Sequence, residues 1–314
     1  MTEFIGFILA IDAIFTWALA SLVYKWGLGK TEPKANIFFR LCCVSLSTLV
    51  FALFFGNILF LSNLDSTGIL LFVLTSIISG LSVTVGDLFY YKSLKKIDAS
   101  RAYPLTQLSL IFVYPFSFIL FQEVATPAIL IGGILILSSV FILSSKDKEE
   151  KNTTLKKSLK EKISEDLIIG VLLAIATAFF WAISYVSFNQ ARIITGDIFY
   201  PNFVRIIFAT ITIALVGLFQ KEYYDGFRNK NRKLLKYFIS IGIAGGLSLG
   251  LADALFIKAA ELNTLVLTST ITANTPMVQQ ILSIILLKEK FRKRFLVAVG
   301  LIIVGNYIII LFSV

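Results

Sequence analysis

Histidine is absent from this 314-residue chain, cysteine occurs only as the adjacent Cys42 and Cys43, and charged residues make up just 15%. Without histidine the commonest general base and metal ligand are missing. Two neighbouring cysteines inside an apolar run exclude a disulfide framework and a thiolate metal cluster. A G-x-x-x-x-G-K-[ST] loop is also lacking, so nothing supports nucleotide hydrolysis within the chain. What is abundant is apolar: 57% of residues are hydrophobic, with mean hydropathy +0.86. Soluble domains hold about 45–50% apolar and about 25% charged residues. The excess points to lipid as the solvent. The 29 Lys and Arg against 19 Asp and Glu give +10. Because the basic residues lie between apolar runs, they report membrane orientation rather than nucleic-acid binding. No cleavable signal peptide is expected: Met1-Thr2-Glu3 lacks a basic start, and the first run is long enough to span.

Apolar runs fall at about 4–28, 37–55, 68–91, 99–121, 127–144, 167–190, 199–219, 235–259, 262–287 and 295–313. A spanning helix needs about 20 apolar residues, and helices are the spanning form that suits such continuous runs. The expectation is an all-α membrane protein with ten transmembrane helices. The charged stretch 145–165 divides residues 1–144 from 166–314. The halves match in order. Gly6 and Trp17 match Gly170 and Trp181 at an offset of 164, and Arg40 matches Arg205 at 165. At 166 follow Gly80-Leu81-Ser82 with Gly246-Leu247-Ser248, then Asp87 with Asp253, Lys92 with Lys258 and Glu123 with Glu289. These ordered polar matches indicate a duplication of five helices. An odd number requires the second copy to enter the membrane inverted.

The basic residues agree with inversion. Loops 1–2, 3–4, 5–6, 7–8 and 9–10 with their flanking turns hold 26 of the 29 Lys and Arg; Arg192, Arg205 and Lys258 are the rest. The positive-inside rule puts those loops, including the 145–165 linker, in the cytoplasm and both termini outside. The expected location is the plasma (inner) membrane of a prokaryote.

Three features carry a family likeness: the Trp-bearing first helix of each repeat, the stretch Gly86-Asp87-Leu88-Phe89-Tyr90-Tyr91-Lys92-Ser93-Leu94, and the Pro-containing fourth helix closed by Glu123. Pro276 and Glu289 form the second-repeat counterpart of the last. On these the chain resembles the ten-helix EamA-type family of the drug/metabolite transporter superfamily over nearly its whole length. The resemblance implies two inverted five-helix repeats and a permease for metabolites, amino acids or drugs.

Candidate site residues follow from placement. Asp12 lies about 12 Å into the first helix. A carboxylate at that depth is expensive unless it serves a function or meets water, which makes it a candidate proton- or cation-coupling acid. Trp17, Ser21 and Tyr24 share a helix face, and Trp181 and Tyr185 stand at matched positions. Paired aromatic faces suit a cavity at the repeat interface, and plain helix packing is the alternative. Gln107 and Asn274, polar residues near Pro104 and Pro276, are candidate substrate contacts. Arg40–Asp87 and Arg205–Asp253 are expected to pair at matched depths, as packing clamps or as gates. Ser76, Gly80 and Thr84, with Gly242, Gly246 and Gly250, are expected to let helices approach closely. Glu123 and Glu289 are expected to anchor and cap helix ends.

The leading expectation is a non-enzymatic secondary transporter of small metabolites working by alternating access. Its partners would be a small-molecule substrate and membrane lipids, with protons as candidate coupling ion. No cofactor, metal or nucleic acid is expected, and monomer and homodimer are both open. A lipid-linked sugar flippase, a passive channel and a membrane-embedded lipid enzyme are the alternatives.

Overall fold

A computed structural model describes residues 2–144, 157–228, 231–286 and 294–313, and among these no strand occurs. The first half runs α1 (Thr2–Leu28), α2 (Pro33–Phe55), α3 (Phe60–Asn63), α4 (Ser66–Lys96), α5 (Ala99–Thr106), α6 (Ser109–Phe121) and α7 (Pro127–Ser144). The second runs α8 (Lys157–Thr195), α9 (Phe199–Phe219), α10 (Asp225–Arg228), α11 (Arg232–Gly245), α12 (Asp253–Leu262), α13 (Leu265–Thr272), α14 (Thr275–Leu286) and α15 (Arg294–Ser313). Local signals set several starts. Pro33 opens α2, where its missing N–H costs nothing. The side chains of Asp65, Asn231 and Thr264 accept from backbone N–H groups at the starts of α4, α11 and α13.

Among the described residues eight helical stretches are long and apolar enough to cross a membrane, where ten were expected: α1, α2, α4, α5 with α6, α8, α9, α11 through α12, and α15. Two runs fall short of that measure for different reasons. Pro127–Ser139 is a shorter apolar helix. The run 262–287 is split into α13 and α14 because Pro276 cannot bond Thr272, four residues back. The Thr272 carbonyl accepts from Thr275 Oγ1 at 2.5 Å instead. At the matching place in the first half, α5 passes to α6 through i→i−3 bonds: Gln107 N to Pro104 O at 3.0 Å and Leu108 N to Leu105 O at 3.2 Å. Other boundaries also differ from expectation. The linker was drawn to residue 165, but α8 is already helical from Lys157; residues 145–156 lie outside the described residues, as does Glu289. Short helices α3 and α10 and a 3₁₀ turn at Lys221–Tyr224 occupy loops between apolar runs.

The two halves interlock. α4 packs along α8 and α1 along α12, while α2 lies on α9 and α7 on α15. The last two pairs join repeat equivalents, so they straddle an approximate two-fold axis. Ser45 and Thr210, equivalents at offset 165, share a hydrogen bond of 2.8 Å across it. Large apolar side chains such as Phe54, Phe118, Phe219 and Ile303 point outward, as hydrocarbon surroundings permit. One segment breaks the symmetry. Gly246–Ala252 is a π-helix between α11 and α12, whereas residues 80–86 of α4 are ordinary α-helix. Asn202 Nδ2 caps the widened turn by donating to Leu249 O at 2.9 Å and Gly250 O at 3.0 Å.

Candidate functional site

Two ion pairs sit in the core. Arg40 Nη2 bonds Asp87 Oδ2, and Arg205 Nη2 bonds Asp253 Oδ2. All four residues are 0–3% exposed. A buried charge without a partner costs several kcal/mol, which accounts for the strict pairing of cations with anions here. The remaining carboxylate oxygens are taken crosswise. Trp17 Nε1 of the first half donates to Asp253 Oδ1 of the second at 3.0 Å, and Trp181 Nε1 of the second donates to Asp87 Oδ1 of the first, also at 3.0 Å. Each indole thus ties one half to the carboxylate of the other. Along α1 the Arg40 guanidinium lies past Trp17 beside Tyr24, seven residues or about 10 Å further. Along α8 the Arg205 guanidinium lies past Trp181 beside Ser184 and over Phe188.

Between the pairs is a small cavity of about 30 Å³, walled by Trp17, Tyr24, Arg40, Asp87, Tyr90, Trp181, Tyr185 and Asp253 among others. A second pocket of about 20 Å³ shares Trp17, Tyr103, Trp181 and Tyr185 and reaches Gln107, Ser269 and Thr272. Such volumes hold a few water molecules. The walls hold two sets of ring contacts: Tyr90 lies 5.5 Å from Trp181, while Tyr185 lies 6.0 Å from Trp17 and 4.8 Å from Phe256, centroid to centroid. These offset and tilted contacts make a rigid apolar wall with a few polar tips.

The structure brings Trp17, Ser21, Tyr24, Trp181 and Tyr185 to the cavity with one member of each ion pair or more, and Gln107 to the second pocket. Ser21 is nonetheless inward-bonded, its Oγ donating to Ala18 O at 2.7 Å. Asn274 is not brought there. Its Nδ2 donates to Ile271 O at 2.7 Å and to Asn306 Oδ1 at 2.8 Å on α15. The residues of this broken helix that do line the pocket are Ser269 and Thr272. Asp12 is not brought there either. It lies on the outward stripe of α1 with Ile8, Ile11 and Phe15. The helix repeat gives the reason: five residues from Trp17 is about 140° around the axis.

Several further residues belong to the candidate site, some with a signal in the sequence and some without. Tyr90 follows Asp87 by three and shares its face, which was legible; Ser248 and Leu249 reach the cavity from the π-helix, which was not. Ser79 and Ser184 exchange bonds across α4 and α8, each Oγ donating to the other's carbonyl at 2.8 and 2.9 Å, and both accept from Arg205. Gly80 lets α9 come close to α4, since a Cβ there would lie 1.9 Å from the Arg205 carbonyl oxygen. Glu123, just past the left-handed Gln122 that ends α6, does more than anchor its own helix. Its carboxylate accepts from Leu265 N at 3.1 Å and Val266 N at 3.0 Å, capping α13 of the other half.

Among the described residues no cluster of three or more His, Cys, Asp or Glu side chains could hold a metal ion. The chemistry present is that of recognition: aromatic walls, neutralised charges and hydroxyl tips around a small space inside a helical membrane bundle. That combination, with the comparisons, defines a membrane transporter. The chain belongs to the EamA-like transporter family, whose pattern matches it twice, at residues 4–145 and 168–311, and through it to the drug/metabolite transporter superfamily. It is 22% identical over 310 residues, 97% of each chain, to an uncharacterized transporter of Archaeoglobus fulgidus. A crystal structure of a protein 17% identical to it superposes over 98% of this chain and 96% of the other, with a TM-score of 0.70, and so shares the fold.

Proposed function

We propose that this protein is a secondary transporter that moves a small metabolite, such as an amino acid or related compound or a drug, by alternating access. Ten passes are assigned: the eight long apolar helices, α7, and the α13–α14 pair whose halves span together. They form two five-pass repeats, 1–144 and 166–314, the second inverted, joined by a charged cytoplasmic segment at 145–165. The observation that carries this reading is the small cavity between the halves, flanked by the crossed Trp17–Asp253 and Trp181–Asp87 bonds. Inverted-repeat carriers hold substrate at such an interface, and rocking one half against the other opens it to alternate sides.

In this reading the small-molecule partner lies between Trp17, Ser21, Tyr24, Trp181 and Tyr185, with Gln107 at its far end. The pairs Arg40–Asp87 and Arg205–Asp253 fasten the two ends of the cavity, and both are closed in this arrangement. Opening one while the other holds would gate access, with protons as the candidate coupling ion. The membrane assigned is the plasma membrane of a prokaryote, and the partition of basic residues supports both termini outside.

Counterflow in proteoliposomes, screening amino acids, nucleobases and cationic drugs with and without a pH gradient, tests the function. Saturable counterflow of one class is the expected result. Single-channel currents, or turnover of lipid, would replace the carrier reading. Cysteines introduced at Thr2 and Ser313 should react with an impermeant reagent on intact cells; labelling only after permeabilisation would reverse the orientation.

A further inference from the structure

The two ion pairs are related by the repeat, yet their guanidiniums are not bonded alike. Arg205 Nε donates to Asn202 Oδ1 at 2.8 Å, and its Nη1 to Ser184 Oγ at 3.2 Å and Ser79 Oγ at 3.3 Å, besides the bond to Asp253. Around Arg40 the matched positions hold Ile37, Ala20 and Gly245, at offsets of 165, 164 and 166. A Cβ on Gly245 would lie 2.4 Å from Arg40 Cγ, so the serine of the other side has no room here. Arg40 Nη1 reaches Tyr24 OH only at 3.5 Å, and Arg40 Nε, on a residue 1% exposed, has no hydrogen-bond partner.

Polarity is redistributed with the bonds. Tyr24, Tyr90 and Tyr91 stand where the other half has Phe188, Phe256 and Ile257. The Tyr90 hydroxyl is fully buried and, with only Ser21 close by, makes no hydrogen bond of regular geometry. Arg40, Tyr24 and Tyr90 line the central cavity, whereas Arg205 does not. Buried polar groups are almost always satisfied, so an N–H and a hydroxyl without regular hydrogen bonds, on two residues that line one cavity, mark a place for something that supplies an acceptor.

Resting on the transporter reading, we propose that Arg40 and Tyr90 bind the carboxylate of an organic-acid substrate. A guanidinium N–H can only donate, and with the tyrosine hydroxyl it offers two donors to the two oxygens of a carboxylate. Trp17, Trp181 and Tyr185 take the apolar remainder. The fully bonded Arg205 pair is the fixed end of the site, and the Arg40 pair is the end that responds to substrate.

The test is binding to the purified full-length protein in detergent, read by the fluorescence of the wall tryptophans. The probes are 3-phenylpropanoate, 3-phenylpropanamide and 3-phenylpropylamine. The acid is expected to bind at least tenfold tighter than either isostere. Y90F removes only the Tyr90 hydroxyl and installs the residue found at the matched position 256. It should weaken the acid about tenfold and leave the amide within about threefold. I37N gives Arg40 Nε the acceptor that Asn202 gives Arg205 and should weaken the acid similarly; should it not fold, Y90F decides. Equal or tighter binding of the amide or amine, binding of none of the three, or unchanged acid affinity in Y90F would overturn the proposal. Counterflow on the same protein separates the two readings. Acid binding without exchange of any solute removes the transport function, while exchange confined to amines removes only the carboxylate site.

Discussion

Replacing each core aspartate by asparagine should expose the unequal bonding of the two ion pairs as unequal stability. In Asp87→Asn the amide keeps one acceptor oxygen where the carboxylate had two. Trp181 Nε1 and Arg40 Nη2 each used a separate oxygen, so one donor loses its partner and an amide NH₂ now faces a cation. Arg40 is left with Tyr24 at 3.5 Å and two aromatic faces as its remaining support. Stranding a buried charge in this way costs about 3–5 kcal/mol. Asp253→Asn creates the same conflict with Trp17, but Arg205 keeps Asn202, Ser79 and Ser184 and its stack on Phe188. Retaining three hydrogen bonds at roughly 1 kcal/mol each should hold the loss to about 1–3 kcal/mol. At about 2–4 °C per kcal/mol, Asp87→Asn should melt roughly 4–8 °C below Asp253→Asn. Thermal unfolding of both variants in one detergent, at matched concentration and scan rate, measures the difference. Equal melting temperatures, or the reverse order, would show that the extra partners of Arg205 contribute nothing and would refute the reasoning.

Other perturbations separate similar-looking positions. Glu123→Ala removes the carboxylate that caps α13 across the interface and should cost about 1–2 kcal/mol, with Glu123→Gln costing less; hydrogen exchange at Leu265 and Val266 should rise in both. Gly80→Ala drives a methyl into the Arg205 carbonyl and should destabilise by at least 1–3 kcal/mol, whereas Gly300→Ala has nothing within 4 Å and should be neutral or gain up to about 1 kcal/mol in helix propensity; paired melting curves check this. Asp12→Asn, on the outward stripe of α1, should leave saturable counterflow unchanged, and loss of counterflow with normal expression would place Asp12 back in the mechanism.

Composition and repetition alone determined a large part of this protein. Apolar runs of spanning length leave helices as the backbone's means of satisfying its own hydrogen bonds in lipid, so the all-helical bundle was legible without any tertiary information. The repeat was legible because Trp17, Arg40, Asp87 and Glu123 recur in order as Trp181, Arg205, Asp253 and Glu289, and charged or indole side chains stand out against an apolar background. Matched depth along neighbouring helices pointed each arginine at an aspartate, since an unpaired charge there is too costly to keep.

Tertiary structure decided what periodicity cannot carry. Both tryptophans reach across to the other half's carboxylate, a choice set by how α1 meets α12 and α8 meets α4 rather than by any spacing. The turn of Asn274 toward α15 and of Asp12 toward the outside depends on each helix's rotation about its own axis. Depth alone does not reveal that rotation. The π-helix at Gly246–Ala252 has the same sequence length as its α-helical counterpart, so no insertion announced it; Asn202, folded against it from α9, satisfies the carbonyls that make it tolerable. The unequal surroundings of Arg40 and Arg205 were written in the sequence as Ile37, Ala20 and Gly245 against Asn202, Ser184 and Ser79. Their meaning emerged only once folding set those six residues around two buried guanidiniums, where each missing acceptor leaves a donor with nowhere to turn.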